Sequence, residues 1–420
     1  MNMDCAEICE RDFEKKLLLQ KQEDKKENAD KEIEKNIDLT VGEKPSVTCK
    51  IPYFTVADFK KGSTKLFDEI IDVRTPLEFA EDRIVGAINL PVLSNEQRVT
   101  VGTLYARDRM AARKLGAGLI SGNISQHILN HFIDKPGNYK PLIYCWRGGQ
   151  RSRSMALILN QIGFDAHIFQ GGYKEYRKEV RDHVQENVKK NSIDDFYFIL
   201  MSGTTGNGKS RILEALKERG EQMLHLEELA KHKGSVLGNY PGEPQPNQKY
   251  FESEIYKTLQ FDFIPEKVVW VEYESFKIGN ITVPKKVSNK MMESNRIHIE
   301  VDLEDRIQFI LKDYDYICND KPHLMECFKR LDRLAGRKKC DEWRNLVEED
   351  KFEALVRDLI VEYYDKCYRI PRGEALRVFK VPEGLILDQS KLQNSKMITE
   401  MIELGNQFMK NPTKLEITEQ

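Results

Sequence analysis

The sequence predicts an α/β protein made of two consecutive α/β units, the second of which ends in a helical region. Three observations predict this. From about Tyr53 onward, short apolar runs alternate with amphipathic stretches, as strands and helices do in α/β domains. Two glycine-containing loops each lie between a predicted strand and a predicted helix. The length of 420 residues matches two or three domains of about 100 to 200 residues each.

Composition narrows the class of protein. A formal net charge of -2 argues against wholesale electrostatic binding of nucleic acid, so an RNA site is expected to be a local patch. No stretch reaches about 18 consecutive apolar residues and the start of the chain lacks an apolar signal core, so we expect a soluble, cytoplasmic protein with no membrane partner. The eight cysteines show no CxxC spacing, which favours reduced, packed thiols over a zinc site.

A charged extension and a first α/β unit occupy the N-terminal part of the chain. Residues 1–52 are rich in Lys, Glu and Asp and poor in aromatics, the composition of a disordered segment. The first unit is expected over residues 55–184. A helical face passes through Met155, and Gly163 ends that helix. The predicted strands of the unit are residues 70–74, 86–91, 141–144 and 166–169.

The second α/β unit is expected over residues 195–404. A charged stretch, residues 174–190, is predicted to form the helix that leads into it. Residues 321–368 have a strongly helical pattern and form the helical C-terminal part. Residues 405–420 are predicted to fray. The predicted strands of the second unit are residues 196–201, 223–226, 268–271 and 297–301.

The first glycine-containing loop is built around a cysteine and reads CWRGGQRS at residues 145–152. Its two glycines permit positive φ, so backbone N–H groups can turn inward, and the helix that follows adds partial positive charge. Such a loop stabilises a thiolate. Its arginines add positive charge, and its serine can cap the helix or hydrogen-bond the sulfur. The candidate catalytic residues are Cys145, Arg147, Arg151 and Ser152.

A second chemistry fits the same loop. Cys145 and Arg151 have the C-x5-R spacing of cysteine phosphatases, in which a thiolate attacks phosphate and an arginine binds it. The segments DVRTPLEF at 72–79 and IVGAINLP at 84–91, followed by the cysteine loop and two glycines, resemble a rhodanese domain read in order. Phosphatases of the cell-cycle type share that fold. The amino-acid sequence of the cysteine loop is more similar to one rhodanese subgroup than to these phosphatases.

The second glycine-containing loop reads GTTGNGKS at residues 203–210 and fits the phosphate-binding pattern GxxxxGK[ST]. It lies between a predicted strand and a predicted helix, as that pattern requires. Its backbone N–H groups are expected to surround phosphates, its lysine to neutralise them, and its serine to reach a magnesium ion. The predicted phosphate-binding residues are Gly203, Thr204, Thr205, Gly206, Gly208, Lys209 and Ser210.

Acidic and basic residues elsewhere in the second unit can complete this site. Glu272, at the end of a predicted strand, is the best candidate for an acidic role near a metal, with Glu274 behind it. Mg²⁺ is the candidate ion, although the sequence does not fix the identity of a metal. Arg306 follows another predicted strand and can contact phosphate, while a surface ion pair is an equally good interpretation.

Taken together, residues from about Phe54 to Leu404 resemble the tRNA 2-selenouridine synthase family, in which a rhodanese domain precedes a P-loop domain. The resemblance is collinear and covers both units. Besides the segments quoted above, it includes QRVTVGTLY at 97–105, LEELAKHKGS at 226–235, QPNQ at 245–248 and WVEYES at 270–275. Two positions differ from the sequence pattern of the family, because His225 and Tyr273 stand where aspartates are expected.

The resemblance implies a transferase that converts wobble 2-thiouridine of tRNA to 2-selenouridine with selenophosphate, through an S-geranylated intermediate made from geranyl diphosphate. It implies that Cys145 holds selenium as a selenopersulfide and that the P-loop binds a phosphate or diphosphate. It implies tRNA and a selenophosphate synthetase as partners, with no tightly bound cofactor. The alternative is a rhodanese-type sulfurtransferase or cysteine phosphatase fused to a P-loop kinase-like domain.

Two basic clusters are the candidate RNA contacts. A solvated helix face is the alternative interpretation of each cluster. An RNA substrate predicts that at least one cluster lies along its path and that binding weakens with salt. The first cluster comprises Lys174, Arg177, Lys178 and Arg181, and the second comprises Lys329, Arg330, Arg333, Arg337, Lys338 and Lys339.

Overall fold

The computed structural model describes residues 51–185, 192–240, 242–273, 275–368 and 375–410. By its contacts the chain divides into Met1–Cys49 and a compact unit over Lys50–Gln420. The predicted disorder of residues 1–52 therefore concerns residues that lie almost entirely outside the described part. Glu274 also lies outside it.

A parallel five-stranded sheet with the order β1-β5-β4-β2-β3 forms the centre of the N-terminal half. Its strands are β1 (Tyr53–Phe54), β2 (Glu69–Asp72), β3 (Ile88–Asn89), β4 (Pro141–Tyr144) and β5 (His167–Phe169). Its helices are α1 (Val56–Lys60), α2 (Pro76–Glu81), α3 (Asn95–Arg107), α4 (Arg109–His127), α5 (Gln150–Ile162) and α6 (Gly172–Val184). Every residue of β4 is buried, as expected for a central parallel strand covered on both faces.

A second parallel five-stranded sheet with the order β12-β11-β6-β8-β7 forms the centre of the C-terminal half. The strands of this half are β6 (Phe198–Ser202), β7 (Gln222–Leu224), β8 (Val269–Glu272), the antiparallel hairpin of β9 (Lys277–Ile278) and β10 (Ile281–Thr282), β11 (Asn295–Glu300) and β12 (Arg377–Lys380). Here β6 is the fully buried central strand, and it leads directly into the phosphate loop.

Helices cover this second sheet and form its C-terminal part. Those before β12 are α7 (Lys209–Glu218), α8 (Leu226–Ala230), α9 (Gln248–Lys257), α10 (Lys285–Glu293), α11 (Leu303–Asp313), α12 (Asp315–Cys318), α13 (Lys321–Leu331), α14 (Arg337–Glu348), α15 (Phe352–Leu359) and α16 (Asp365–Cys367). Those after β12 are α17 (Gln389–Gln393) and α18 (Lys396–Lys410). The predicted α/β class with a helical C-terminal part is confirmed.

One apolar core runs through both halves. Phe59 of α1 packs edge-on against Phe261, with ring centroids 5.2 Å apart, and stacks on Tyr256 at 6.5 Å. Asp82, after α2, is fully buried and accepts a hydrogen bond of 2.8 Å from Ser253 of α9. The two halves are therefore joined by packed side chains as well as by the chain itself.

Local sequence signals set several boundaries as predicted. Gly163 ends α5 with φ of 115°, a conformation that glycine adopts without strain. Strand β4 has the predicted bounds, and the other predicted strands lie within two residues of the observed ones. Strands β1 and β12, which lie at sheet edges, and the short hairpin of β9 and β10 were not predicted.

The C-terminal prediction needs a correction. Residues 405–410 do not fray but continue α18, and Phe408 is buried with 5% of its surface exposed. Gly405 packs so closely that an added Cβ would lie 2.9 Å from Val268. The apolar face of α18, which packs on the second sheet, outweighs the tendency of chain ends to fray. Residues 411–420 lie outside the described part.

Candidate functional site

Cys145 lies at the carboxyl end of the central strand β4, where the chain turns into α5. Its side chain is 3% exposed. Ligands of parallel α/β sheets bind at this edge, because the loops that follow the strands converge there. The sequence and the fold thus put the thiol at the usual position of an α/β active site.

Two donors point at the sulfur of Cys145. The backbone N–H of Gly149 donates over 3.2 Å, and the hydroxyl of Ser152 donates over 3.3 Å. Ser152 is fully buried and also lies 3.2 Å from the carbonyl oxygen of Gly149. A sulfur that accepts two hydrogen bonds at a helix start is suited to carrying negative charge. The loop therefore has the geometry of a thiolate cradle.

Two glycines allow the close approach of backbone that shapes this cradle. Gly148 has φ of 63° and Gly172 has φ of 60°. A Cβ on Gly172 would lie 2.3 Å from the carbonyl oxygen of Cys145 and 2.6 Å from the amide nitrogen of Gly148. In addition, the N–H of Tyr173 donates to that carbonyl over 2.8 Å. The start of α6 thus fixes the backbone of the cysteine loop.

The two arginines of the loop have different surroundings. Arg151 forms an ion pair of 2.9 Å with Glu78, and that pair is mostly buried. Burial alone would raise the pKa of Glu78, but Arg151 outweighs it, so this pKa lies below its ordinary value. Arg147 is exposed, and among the described residues it forms no ion pair. Arg147 is therefore the loop's available cation, whereas Arg151 already has a carboxylate partner.

Aromatic residues lie beneath the cysteine loop. The ring centroids of Trp146 and Tyr173 are 5.3 Å apart, and Trp146 is 39% exposed. The guanidinium of Arg74 lies 3.9 Å from the Tyr173 centroid and forms a buried ion pair of 2.6 Å with Asp72. Asp72 and Arg74 belong to the DVRTPLEF segment, so the structure gives that segment a supporting role below the loop.

The phosphate loop follows β6 and ends where α7 begins at Lys209. Three of its glycines have positive φ, with values of 155° for Gly203, 85° for Gly206 and 63° for Gly208. A Cβ on Gly208 would lie 1.9 Å from Ile386. The side-chain amide of Asn207 donates to the carbonyl of Ile299 and fixes the loop against β11.

Basic side chains hold the phosphate loop in shape. The ammonium of Lys209 donates to the carbonyl of Gly203 over 2.8 Å. Arg306 donates to the carbonyl of Thr205 over 2.9 Å and forms a two-pronged ion pair with Asp365, at 3.0 and 2.6 Å. Of the two interpretations of Arg306, the structure therefore shows an ion pair, in which Arg306 is buried and Asp365 is partly exposed.

Glu272 ends β8 beside the phosphate loop and is 1% exposed. Its Oε1 accepts a hydrogen bond of 2.6 Å from the N–H of Glu227 and lies 3.3 Å from Nδ1 of His225. Burial alone would lower the pKa of His225, but the Glu272 carboxylate outweighs it and raises that pKa. In the described part of the chain, Oε2 of Glu272 has no hydrogen-bond partner, so it is available to a metal ion.

A cleft of about 760 Å³ opens at the phosphate loop. It is lined by Thr205 to Ser210, by His225 and Glu272, and by tyrosines that include Tyr314 and Tyr364. An apolar hollow of about 60 Å³ adjoins the cleft and shares Thr205, Ser235, Ile310, Tyr314 and Tyr364 with it. The remaining walls of the hollow are Leu237, Cys318, Leu324, Leu355, Val356, Leu359 and Ile360. The cleft thus combines a site for anions with an apolar annex.

The structure changes the predicted RNA contacts. Arg177 is not an exposed cation, because it forms ion pairs with Glu252 and, at 3.6 Å, with buried Asp82. In the second cluster, Lys329 pairs with Glu326, and Lys339 with Glu342 and Asp358. The cluster members that are exposed and form no ion pair within the described ranges are Lys174, Arg181, Arg330, Arg333, Arg337 and Lys338.

No group of three or more His, Cys, Asp and Glu side chains in the described ranges could hold a metal ion. Among those same residues, no helix has the length and apolar character needed to cross a bilayer.

Two family models match the chain. A rhodanese-like domain model matches residues 55–179, and a model described as the tRNA 2-selenouridine synthase AAA domain matches residues 196–379. The first model covers the cysteine loop and all strands of its sheet except β1, and the second covers the phosphate loop and nearly all of the other sheet.

Curated proteins described as tRNA 2-selenouridine synthase are similar to this chain. The protein from Shewanella denitrificans is 33% identical over 279 residues, which cover 66% of this chain and 72% of the relative. The protein from Bdellovibrio bacteriovorus is 34% identical over 252 residues, 58% of this chain and 64% of the relative, slightly less than two thirds of its length. The protein from a Sulfurovum species is 29% identical over 345 residues, which cover 74% of this chain and 91% of the relative.

Proposed function

The chain belongs to the tRNA 2-selenouridine synthase family, and from that premise we propose that it converts wobble 2-thiouridine in tRNA to 2-selenouridine with selenophosphate. We further propose an S-geranylated intermediate formed from geranyl diphosphate. The observation that carries the proposal is the Cys145 sulfur, which accepts two hydrogen bonds at the start of a helix. That sulfur is the proposed carrier of selenium as a selenopersulfide.

The phosphate cleft is the proposed site of geranyl transfer. The sulfur of 2-thiouridine forms a bond to C1 of the geranyl group as the C1–O bond breaks, and diphosphate leaves with the electron pair. Gly206, Gly208 and Lys209 are placed to bind that diphosphate and to neutralise the charge that develops on it. The ammonium of Lys209, which now contacts the Gly203 carbonyl, would turn to the phosphates.

The apolar hollow supports geranyl diphosphate over a nucleotide as the ligand of the cleft. Leu355, Val356 and Ile360 give it aliphatic walls, which suit a hydrocarbon chain. Its volume of about 60 Å³ holds only part of a geranyl group, so the rest would lie against Tyr314 and Tyr364. A nucleotide would instead need polar partners for its sugar at this place.

Magnesium is a proposed companion of the diphosphate rather than a resident cofactor. Ser210 and Oε2 of Glu272 line the same cleft and are the residues that would hold the ion. When bound, Mg²⁺ would add positive charge beside the leaving diphosphate. The other ligand positions would be filled by phosphate and water oxygens.

Selenium exchange is the proposed second step, at Cys145. The outer selenium of the selenopersulfide bonds to C2 of the base as the C2–S bond breaks, and the geranyl thiolate takes the electron pair. A small-molecule thiol then attacks the Cys145 sulfur and breaks the Se–S bond, which releases 2-selenouridine and leaves Cys145 in a mixed disulfide. Water takes up the phosphoryl group of selenophosphate, and the selenide set free displaces the thiol from that disulfide and restores the selenopersulfide. Arg147 is placed to attract the phosphate of the selenium donor, because it is exposed and carries no carboxylate partner within the described residues. A selenophosphate synthetase is the proposed source of the donor, and the cytoplasm is the proposed compartment.

The test is a reaction of the full chain with 2-thiouridine tRNA, geranyl diphosphate and selenophosphate, followed by digestion and mass measurement of the nucleosides. The proposal expects geranylated 2-thiouridine to rise first and 2-selenouridine to follow. A tRNA that stays unmodified with all three substrates present would contradict it. Turnover of thiosulfate or of a phosphate ester without RNA would instead favour the sulfurtransferase or phosphatase alternative.

A further inference from the structure

Helices α3 and α4 form an antiparallel hairpin between β3 and β4 that the proposed chemistry does not use. Val101 of α3 packs on α4 at Gly116, where an added Cβ would lie 3.4 Å away. The side chain of Asn123 donates to the carbonyl of Val92 over 2.9 Å and closes the base of the hairpin. No residue of α3 is buried. One whole side of the hairpin therefore faces solvent.

The base of the hairpin adjoins the Cys145 loop. Asn95, the first residue of α3, accepts a hydrogen bond of 3.1 Å from the N–H of Leu77. The next residue, Glu78, pairs with Arg151 beside the cysteine. Since α3 has 13 residues, the turn at Asp108 lies about 20 Å from this base. The hairpin thus reaches from the rim of the cysteine site to a point well away from it.

The hairpin carries five exposed cations. None of the five forms an ion pair within the described part of the chain. They are Arg98, Arg107, Arg109, Arg113 and Lys114. Of the two acids in the hairpin, Asp108 caps α4 and Glu96 accepts from Ser94. Five cations and two acids leave a charge of +3 on a chain whose net charge is -2.

Aromatic and apolar side chains accompany these cations near the turn. The ring of Tyr105 is 46% exposed and lies 5.8 Å from the guanidinium of Arg109. Met110 is 58% exposed. Arg109 and Arg113 are four residues apart and share one face of α4. Unpaired cations beside an exposed aromatic ring match the backbone of a folded RNA, which offers regularly spaced phosphates and 2′-hydroxyls.

We propose that the α3–α4 hairpin is a docking surface for the phosphate backbone of the tRNA, at a distance from the base that reacts at Cys145. This inference rests on the proposed function, since the RNA is the tRNA substrate. The cations bind backbone and not bases, so the contact fixes the position of the RNA and adds no sequence preference. The Cys145 loop and the phosphate cleft, rather than the hairpin, then select the wobble base.

The test compares tRNA binding by the full chain with binding by Arg109→Gln/Arg113→Gln, by titration at several salt concentrations. Loss of two phosphate contacts lowers the slope of log affinity against log salt by about 2 and weakens binding at low salt roughly tenfold. Lys391→Gln/Lys396→Gln removes the same charge from exposed side chains of α17 and α18 and is expected to leave both quantities unchanged.

Further variants separate charge from folding and from apolar contacts. Arg109→Lys/Arg113→Lys keeps the charge and is expected to restore most of the slope, which a folding defect would not allow. Wild-type protein that fails to bind or modify tRNA contradicts the proposed function itself. Wild-type binding with an unchanged slope in the double glutamine variant overturns the hairpin inference alone. Loss of tRNA binding on Met110→Gln/Leu115→Gln without any effect of the arginine variants would show that apolar contacts rather than phosphate contacts hold the RNA, and would also overturn it.

Discussion

Cys145 depends on atoms within hydrogen-bond reach of its sulfur. The Gly149 N–H and the Ser152 hydroxyl are the two donors, at 3.2 and 3.3 Å. The order of residues in CWRGGQRS predicts that backbone N–H groups turn toward the sulfur. It left Ser152 as either a helix cap or a donor to the sulfur, and the structure shows the donor. The partner of Arg151 was not predictable, since Glu78 is 73 positions away in the sequence.

The donor from Ser152 is expected to govern the reactivity of Cys145. Replacing Ser152 with Ala removes one of the two hydrogen bonds to the Cys145 sulfur, a contact that stabilises the reacting thiolate by about 1.5 kcal/mol. Alkylation of Cys145 by iodoacetamide at neutral pH should then slow about tenfold, measured by mass spectrometry of the Cys145 peptide. Ser154→Ala, on the same helix with no hydrogen bond to the sulfur, is the control and should react like wild type. Equal alkylation rates for Ser152→Ala and wild type would show that the serine does not affect the reactivity of the Cys145 sulfur.

At each site, the neighbouring strands and helices are brought together by the loops that connect them. Gly172, the first residue of α6, packs closely on the Cys145 carbonyl. Gly208, just before α7, packs closely on Ile386. Strands and helices were predictable because their apolar periods and glycine ends are local signals. The hairpin of α3 and α4 was missed as an RNA surface, because its unpaired cations are recognisable only when the positions of all carboxylates are known.

Gly172 is the element junction at which an added side chain would approach backbone atoms most closely. Gly172→Ala would force a Cβ against two backbone atoms at φ of 60°, so the cysteine loop must shift. We expect a loss of about 2 to 3 kcal/mol in the free energy of unfolding, measured with urea. The control Gly137→Ala places a Cβ in open space and should change stability by less than about 0.5 kcal/mol. A native-like urea midpoint for Gly172→Ala would contradict the close packing at this junction.

Helix α6 carries a buried histidine that makes stability depend on pH. Burial lowers the pKa of His183 to about 4, from an ordinary value of 6.5, and Lys286 and Lys60 act in the same direction. Below pH 6.5 the His183 side chain binds a proton in the unfolded chain, whereas in the folded chain it stays neutral down to about pH 4. The free energy of unfolding should therefore fall by about 3 kcal/mol as pH drops from 6.5 to about 4.

The contribution of His183 can be isolated by difference. In His183→Gln this titration is absent, while every other group titrates as before. Urea unfolding at a series of pH values should show wild type losing stability to acid more steeply than the variant, with no difference in slope above pH 6.5. Parallel profiles at all pH values would show that folding does not lower the pKa of His183.

At the scale of the whole molecule, two α/β halves share one core and hold two chemical sites. Asp82 lies at their junction and accepts hydrogen bonds of 2.8 Å from both Tyr173 and Ser253. Burial raises the pKa of Asp82, and these hydrogen bonds oppose that rise. The backbone N–H of Tyr173 also donates a hydrogen bond to the Cys145 carbonyl, so Tyr173 contacts both the junction and the cysteine loop. Motifs predicted each half, but nothing local in the sequence indicates this contact.

The two sites are proposed to perform two successive steps on one tRNA, and the nucleosides made by two single variants distinguish these steps. From 2-thiouridine tRNA, Cys145→Ala should accumulate the geranylated nucleoside without 2-selenouridine. Lys209→Ala should make about a hundredfold less of either product, because the diphosphate loses its neutralising charge. Supplied with tRNA that is already geranylated, Lys209→Ala should form 2-selenouridine at the wild-type rate. Formation of 2-selenouridine by Cys145→Ala, or undiminished geranylation by Lys209→Ala, would contradict the assignment of steps to sites.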